Sequence, residues 1–120
     1  MDDATETPPT ISTQMIRDLA DVVGEEFLVV EREKVDAFKD VYWFPGDDTY
    51  AASAVVQPST TEQVQEILRV ANRYGIPVWP HGQGRNLGHG GPSPRVRGSI
   101  QLGMQRMNRI LEINEEMAYA

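Results

Sequence analysis

The stretch from residue 81 to residue 91, HGQGRNLGHGG, combines bare backbone with nitrogen-rich side chains. It holds five glycines, two histidines and one arginine in eleven positions. Each glycine costs about 0.5–1 kcal/mol relative to alanine inside a helix or strand, so this density predicts a loop. Glycines let successive backbone N–H groups converge on an anion, and arginine pairs well with phosphate oxygens. The residue types therefore predict an anion-binding loop. The alternative is a slack surface loop.

The elements around this loop predict a βαβ unit. Residues 53–58 (SAVVQP) read as a buried strand, residues 59–75 as a helix, and residues 76–80 (IPVWP) as a second strand. Two strands joined in this way are expected to be parallel, with a right-handed connection. The glycine-rich loop then leaves the carboxyl end of the second strand, where open α/β sheets bind ligands.

Apolar spacing predicts two amphipathic helices. Residues 12–23 carry apolar side chains at helical spacing, and Gly24 follows as the stop. The second helix opens with overlapping capping-box patterns, one of which joins Thr60 to Gln63. Its expected core stripe, ended by a glycine at position 75, consists of Val64, Ile67, Leu68, Ala71 and Tyr74.

Short apolar runs elsewhere add to the predicted sheet. Residues 98–104 (GSIQLGM) and 108–114 (NRILEIN) are two further short strand candidates, and residues 25–31 (EEFLVVE) form a strand or a buried loop. Residues 40–50 (DVYWFPGDDTY) are expected to be a loop whose aromatic side chains serve packing rather than chemistry. The fold class expected is α/β (α+β).

Composition narrows the class of function. The net charge of −7 argues against a nucleic-acid binder and against binding to an anionic membrane. The chain has no cysteine, which excludes disulfides, thiolate metal sites and cysteine nucleophiles among these 120 residues. No signal-peptide pattern is present, and no apolar run approaches the roughly 18 residues of a membrane span. A soluble intracellular protein is expected, with a cytoplasmic location and peroxisomal targeting as the open alternative.

The two common phosphate loops do not fit the spacing. The dinucleotide pattern G-x-G-x-x-G matches at Gly82 and Gly84, but its third glycine would fall on Leu87. The Walker pattern fails because no two glycines here are five positions apart and no lysine follows. Five arginines nevertheless occur between residues 85 and 109 with no acidic residue among them. A loop of this length suits a diphosphate better than a single phosphate.

The longer motif string resembles the flavin-binding segment of the vanillyl-alcohol oxidase and p-cresol methylhydroxylase family. The resemblance covers about residues 50–117. The matching positions are Pro80, Gly84-Arg85-Asn86, Gly88-His89-Gly90, Pro94-Arg95 and Met107-Asn108-Arg109.

The resemblance implies the first FAD-binding subdomain of a p-cresol methylhydroxylase-type fold, within a flavin-dependent oxidoreductase. Such an enzyme would oxidise para-substituted phenols or aryl alcohols by hydride transfer to flavin, and its small aromatic substrate would bind only in a longer parent protein. These residues alone are expected to be inactive and to bind FAD poorly. No catalytic or metal-binding residue is assigned. The diphosphate cradle implied by position is His81, Gly82, Gln83, Gly84, Arg85, Asn86, Gly88, His89 and Pro92.

Three positions depart from the family pattern, and a fourth, Arg85, differs only from the berberine-bridge branch. His81 stands where relatives have an apolar residue, and it is interpreted as a solvent-facing loop residue. His89 replaces a frequent tyrosine, and Gly103 replaces a frequent aspartate. Arg85 occupies the position at which the berberine-bridge branch attaches its flavin through histidine, so it is not expected to form that bond.

Domain organisation is expected to follow three segments. Residues 1–10 are a disordered lead-in, residues 11–49 an N-terminal helix and aromatic loop segment, and residues 50–120 the first FAD-binding subdomain, incomplete at its carboxyl end. Two alternatives stay open for the function. One is a non-catalytic module that binds anions, nucleotides or a partner, and the other is a structural α/β fragment whose glycine loop binds nothing.

Overall fold

The computed structural model describes residues 9–85 and 91–120 of the chain. A single 3-10 turn, Glu25–Phe27, lies between the first helix and the first strand. The helices and strands are, in chain order, α1 (Thr13–Val23), β1 (Leu28–Val29), α2 (Arg32–Asp36), β2 (Ala54–Val56), α3 (Thr61–Tyr74), β3 (Val78–His81) and β4 (Ile100–Gly103).

The four strands form one mixed sheet in the order β1-β2-β4-β3. Strand β4 pairs in parallel with β2 on one side and with β3 on the other, while β1 is antiparallel to β2. The predicted βαβ unit is confirmed, and its two strands are parallel as expected. They are not neighbours, however, because β4 lies between them. The carboxyl ends of β2, β4 and β3 therefore meet at one edge of the sheet.

Helices α1 and α3 cover one face of this sheet and form the main core. Their apolar side chains pack on Ala54 and Val56 of β2 and on Ile100 and Leu102 of β4. Leu19 of α1 is fully buried there, and burying a leucine side chain contributes about 1.5–3 kcal/mol. The core thus joins the segment before residue 50 to the segment after it. The three-segment division of the chain stays a prediction.

The ends of α3 are where the capping pattern placed them. The Thr60 hydroxyl accepts a hydrogen bond from the Gln63 backbone N–H at 3.1 Å. The Gln63 side chain accepts in return from the backbone N–H of Ser59 at 2.7 Å, one residue earlier than in a standard capping box. Gly75 ends the helix with a φ of 65°, a left-handed conformation that favours glycine.

The predicted core stripe of α3 is wrong at one position. Leu68 is 43% exposed, whereas Val70, absent from the predicted stripe, is buried. The buried residues of α3 are Ile67, Val70 and Ala71. At 100° per residue, Val70 lies 60° from Ile67 and Leu68 lies 100° from it in the opposite direction, so Leu68 is further from the middle of the buried face.

The strand predicted over residues 108–114 is also wrong. The structure has no strand there, only an isolated bridge between Asn114 and Tyr119. Ile110, Leu111 and Ile113 are all exposed. An apolar run becomes a strand only where a neighbouring strand offers hydrogen bonds, and this run has none among the described residues. The strand candidate at residues 25–31 does form, as the two-residue β1.

A smaller apolar cluster covers the second sheet face, where Val35, Ala52 and Val55 pack with the partly buried Val29 and Phe38. Within the described ranges, no helix is long and apolar enough to cross a lipid bilayer.

Candidate functional site

Residues 81–85, here named the entrance segment, leave the sheet at the carboxyl end of β3. The carbonyl of His81 still accepts a hydrogen bond from Met104, at 2.9 Å, so the sheet holds the start of the segment. None of the four backbone N–H groups from Gly82 to Arg85 donates to another described residue. These amides are therefore available to a ligand.

The two glycines of the entrance segment serve different purposes. Gly84 has a φ of 71°, and a side chain there would lie 3.2 Å from Pro92. A non-glycine residue would therefore be strained at position 84. Gly82 has an ordinary φ and nothing within 4 Å of the place where a Cβ would stand. Open space beside Gly82, unpaired amides and the exposed Arg85 together suit an approaching anion.

His81 is not the solvent-facing loop residue expected from the sequence, because it is half-buried at the end of β3. Its ring Nδ1 lies 2.9 Å from the carbonyl oxygen of Gly82. A carbonyl can only accept, so Nδ1 carries the hydrogen and Nε2 is a bare acceptor. Burial lowers the pKa of His81 below its usual value, which keeps the ring neutral near pH 7.

Residues 91–95, here named the exit segment, are tied to the aromatic loop. The Ser93 hydroxyl accepts from the backbone N–H of Asp40 at 2.8 Å. The indole N–H of Trp79 donates to the carbonyl of Gly91 at 3.2 Å. The Asp40 carboxyl lies so close to Gly91 that a Cβ there would overlap it, with Asp40 Cβ only 2.8 Å away. Gly91 is therefore a close-approach glycine.

The side chain of Arg95 contacts the aromatic loop, β3 and the exit segment. Its guanidinium lies 4.6 Å from the ring centre of Trp43 and 6.0 Å from that of Trp79. It also lies 3.8 Å from the carboxylate of Asp40, which is only 8% exposed, and donates to the Ser93 carbonyl at 2.7 Å. A buried carboxylate needs such a partner, since an unpaired buried charge is strongly unfavourable.

Gln101 links the exit segment to the sheet. It is buried in β4, and its amide donates to the carbonyl of Phe38 at 3.1 Å and to that of Pro92. A polar residue inside an apolar strand is the sequence signal that could have identified it. Asp40 gave no comparable signal, because its partner Ser93 lies 53 residues further along the chain.

The structure brings five of the predicted cradle residues together in the entrance segment, residues 81–85. Pro92 is buried behind Gly84, with its carbonyl bonded to Gln101. Asn86, Gly88 and His89 lie outside the described residues. All nine assignments stay predictions. Of the aromatic residues 42–44, Trp43 packs against Tyr50 and Phe44, whereas Tyr42 is 65% and Phe44 75% exposed. Among the described residues, no group of three metal-binding side chains lies together.

Comparison with known families identifies the family and its cofactor. A family model described as an FAD binding domain matches residues 52–120. The chain belongs to the FAD binding domain family. Its cofactor is FAD, and within that family it falls among the FAD-linked oxidases related to p-cresol methylhydroxylase.

The relatives support the same assignment. The flavoprotein subunit of 4-cresol dehydrogenase (hydroxylating) from Pseudomonas putida is 33% identical over 99 residues, which are 82% of this chain and 19% of that protein. A crystal structure of p-cresol methylhydroxylase with substrate bound has a TM-score of 0.81 at 28% identity, covering 92% of this chain and 22% of that one. The chain therefore spans about a fifth of the length of these relatives.

A 4-ethylphenol oxidase from Gulosibacter chungangensis, solved as an isoeugenol complex, is similar to the same extent in fold. Its TM-score is 0.81 at 39% identity, and the match covers 94% of this chain and 23% of that one. The p-cresol methylhydroxylase-type fold expected from the sequence is thus confirmed.

Proposed function

We propose that this chain is the diphosphate-binding part of a flavin-dependent oxidoreductase that oxidises para-substituted phenols or aryl alcohols. The observation that carries the proposal is the entrance segment: a glycine-rich turn whose four amides have no partner among the described residues, at the carboxyl ends of parallel strands within an FAD binding domain. When bound, the flavin of FAD accepts the hydride removed from the substrate.

In this proposal the backbone binds the diphosphate and one side chain balances its charge. The amides from Gly82 to Arg85 donate to phosphate oxygens, and Gly82 allows the close approach because no side chain fills the space beside it. The exposed Arg85 guanidinium pairs with the same oxygens. The exit segment, fixed by Asp40 and Arg95, holds the far end of the loop in register.

The substrate class rests on the relatives rather than on this chain. The names of two of them specify 4-cresol and 4-ethylphenol as substrates. No residue here is proposed to be catalytic, and a small aromatic substrate would bind only in a longer parent protein. The 120-residue chain alone would be inactive and would bind FAD weakly. A cytoplasmic location stays a prediction.

The proposal is tested by calorimetric titration of the chain with FAD, ADP and AMP. We expect FAD and ADP to bind measurably and AMP to bind more weakly, since it lacks the diphosphate. Arg85→Ala should weaken FAD binding about tenfold, because a hydrogen bond to a charged group contributes about 1.5–3 kcal/mol. Arg109→Ala, which removes an equally exposed arginine, is the matched control and should change nothing.

The other outcomes identify the rival functions. Equal affinities for ADP and AMP, together with no effect of Arg85→Ala, would show that the loop is slack and that the proposal is wrong. Tight binding of ADP without any preference for FAD would favour a general anion-binding module. The substrate class is tested separately, by flavin reduction with 4-alkylphenols in a longer protein that contains this chain.

A further inference from the structure

Two buried polar atoms at the carboxyl edge of the sheet lack a hydrogen-bond partner among the described residues. They are Nε2 of His81 and Oε1 of Gln105. Buried acceptors are normally satisfied, because an unsatisfied one loses the hydrogen bonds that water would give it. Neither atom is used by the diphosphate proposal, which relies on backbone amides and Arg85.

The two atoms lie over the same position of the sheet. His81 of β3 is the register partner of Gly103 of β4, so both residues face the same side of adjacent strands, which are about 4.8 Å apart. The Gln105 side chain folds back over Gly103, with Oε1 2.5 Å from the place where a Cβ would stand. Gln57, the residue after β2, closes the corner, with Cγ 3.5 Å from the same point.

Both atoms are acceptors, and this decides what they can bind. Nδ1 of His81 already donates to the Gly82 carbonyl, which leaves Nε2 with a lone pair and no hydrogen. Oε1 of Gln105 is likewise an acceptor. A phosphate oxygen could not satisfy either atom, since it is itself an acceptor. The corner instead requires two donor hydrogens, such as those of two neighbouring hydroxyl groups.

We propose that Nε2 of His81 and Oε1 of Gln105 each accept a hydrogen bond from one of two neighbouring sugar-type hydroxyls adjacent to the diphosphate of FAD, because one hydroxyl can donate to only one of them. The inference rests on the proposed function, because the amides assigned to the diphosphate begin at Gly82, the residue after His81. A group that reaches this corner must therefore be attached next to the diphosphate. FAD carries hydroxyls on both sides of it, on the ribityl chain and on the adenosine ribose.

Gly103 is the positioning residue in this proposal. Any side chain at position 103 would displace the Gln105 amide, because the space beside Gly103 is already filled by it. Gly103→Ala should therefore have the same consequence as removing the Gln105 amide. The alanine variant replaces no predicted cradle residue, which makes it an independent second variant.

The test is a binding comparison between protein variants and ligand analogues. FAD, FAD lacking ribityl hydroxyls, ADP and ribose-deoxygenated ADP are titrated into the unmodified chain, Gln105→Leu, Gly103→Ala and the control Gln65→Leu, which alters an exposed glutamine on α3. We expect Gln105→Leu to weaken FAD binding about three- to tenfold, in line with the loss of one hydrogen bond. Gln65→Leu should bind FAD like the unmodified chain.

The analogues identify which part of FAD supplies the hydroxyls. If the ribityl chain supplies them, the variant and the unmodified chain will bind ribityl-deoxygenated FAD equally, and ADP affinity will not depend on Gln105. If the adenosine ribose supplies them, ADP affinity will depend on Gln105 and that of deoxygenated ADP will not. In either case, the imidazole 15N signal of His81 should shift only with the ligand that carries the hydroxyls.

Two results would overturn the inference, and they are distinguishable. If FAD binds to the unmodified chain while Gln105→Leu and Gly103→Ala retain its full affinity, the corner holds only water and the inference fails alone. If FAD does not bind to the unmodified chain at all, the proposed function fails and this inference fails with it. Amide spectra of each variant establish that it is folded before it is titrated.

Discussion

The two ends of the glycine-rich loop are built in opposite ways. The entrance segment offers four backbone amides that have no partner among the described residues, and the carbonyl of His81 accepts from Met104, the residue after β4. The exit segment is held from three directions: by the backbone N–H of Asp40 in the aromatic loop, by the indole of Trp79 in β3 and by the side-chain amide of Gln101 in β4. The same residue type, glycine, is present at both ends for different reasons.

This difference indicates that the entrance segment binds the ligand and that the exit segment supports the loop. At the entrance, the backbone N–H groups of residues 82–85 have no partner among the described residues, and a ligand is expected to accept hydrogen bonds from them. At the exit, the polar groups are satisfied within the protein, and the buried Asp40 carboxylate has Arg95 as its partner. Substitutions at the exit should therefore reduce stability, whereas those at the entrance should reduce ligand binding.

The largest effect on stability is expected from Gly91→Ala. The new methyl group would overlap the Asp40 carboxyl, which is buried and cannot move freely, so we expect a loss of about 1–3 kcal/mol in the free energy of unfolding. Urea denaturation measures it. Gly82→Ala is the matched control at the entrance and should stay within about 0.5 kcal/mol of the unmodified chain. Equal losses in the two variants would contradict the comparison.

Gly84→Ala should have an intermediate effect. The φ of 71° costs an alanine about 1–2 kcal/mol, and the methyl group would also press on Pro92. Urea denaturation should therefore place this variant between Gly91→Ala and Gly82→Ala. Stability equal to that of Gly82→Ala would show that the loop does not need the left-handed conformation at position 84.

Arg95→Ala should cost about 1 kcal/mol, because it removes the stacking on Trp43 and the partner of the Asp40 carboxylate. Arg95→Lys should recover only part of the loss, since an ammonium group does not stack as a planar guanidinium does. Thermal unfolding in low and high salt measures both. A lysine variant as stable as the unmodified chain would show that charge alone matters at this position.

The smallest effect concerns His81 and pH. Its folded pKa is depressed by burial, so the unfolded chain binds the proton more tightly. The contribution of neutral His81 to stability should be complete above the unfolded pKa of about 6.5 and lost as the pH falls through the lower folded value. An NMR titration of the ring reports the folded pKa. A folded pKa at or above 6.5 would contradict the buried, neutral ring.

Much of the fold could be predicted from the sequence, because periodicity and caps are local. The helices α1 and α3 and the strands β2, β3 and β4 follow from such signals. The insertion of β4 between β2 and β3 could not be predicted, since strand order depends on pairing between distant segments. For the same reason the apolar run at residues 108–114 was assigned to a strand that does not form.

The candidate site likewise has a part that could be predicted from the sequence and a part that could not. The entrance segment was predicted from its glycines and Arg85, which lie together in the sequence. The contacts that hold the exit segment could not be predicted, because Asp40 and Ser93 meet only in the folded chain. The unpaired acceptors of His81 and Gln105 depend on side-chain orientation, and the sequence does not specify it.

The most direct test of the central claim is an amide NMR titration of the chain with FAD. We expect the backbone N–H signals of residues 82–85 to shift most, because new hydrogen bonds to phosphate form there. The signals of Asp40 and of residues 91–95 should shift much less. Large shifts confined to other parts of the chain, with residues 82–85 unchanged, would show that these amides do not bind the diphosphate.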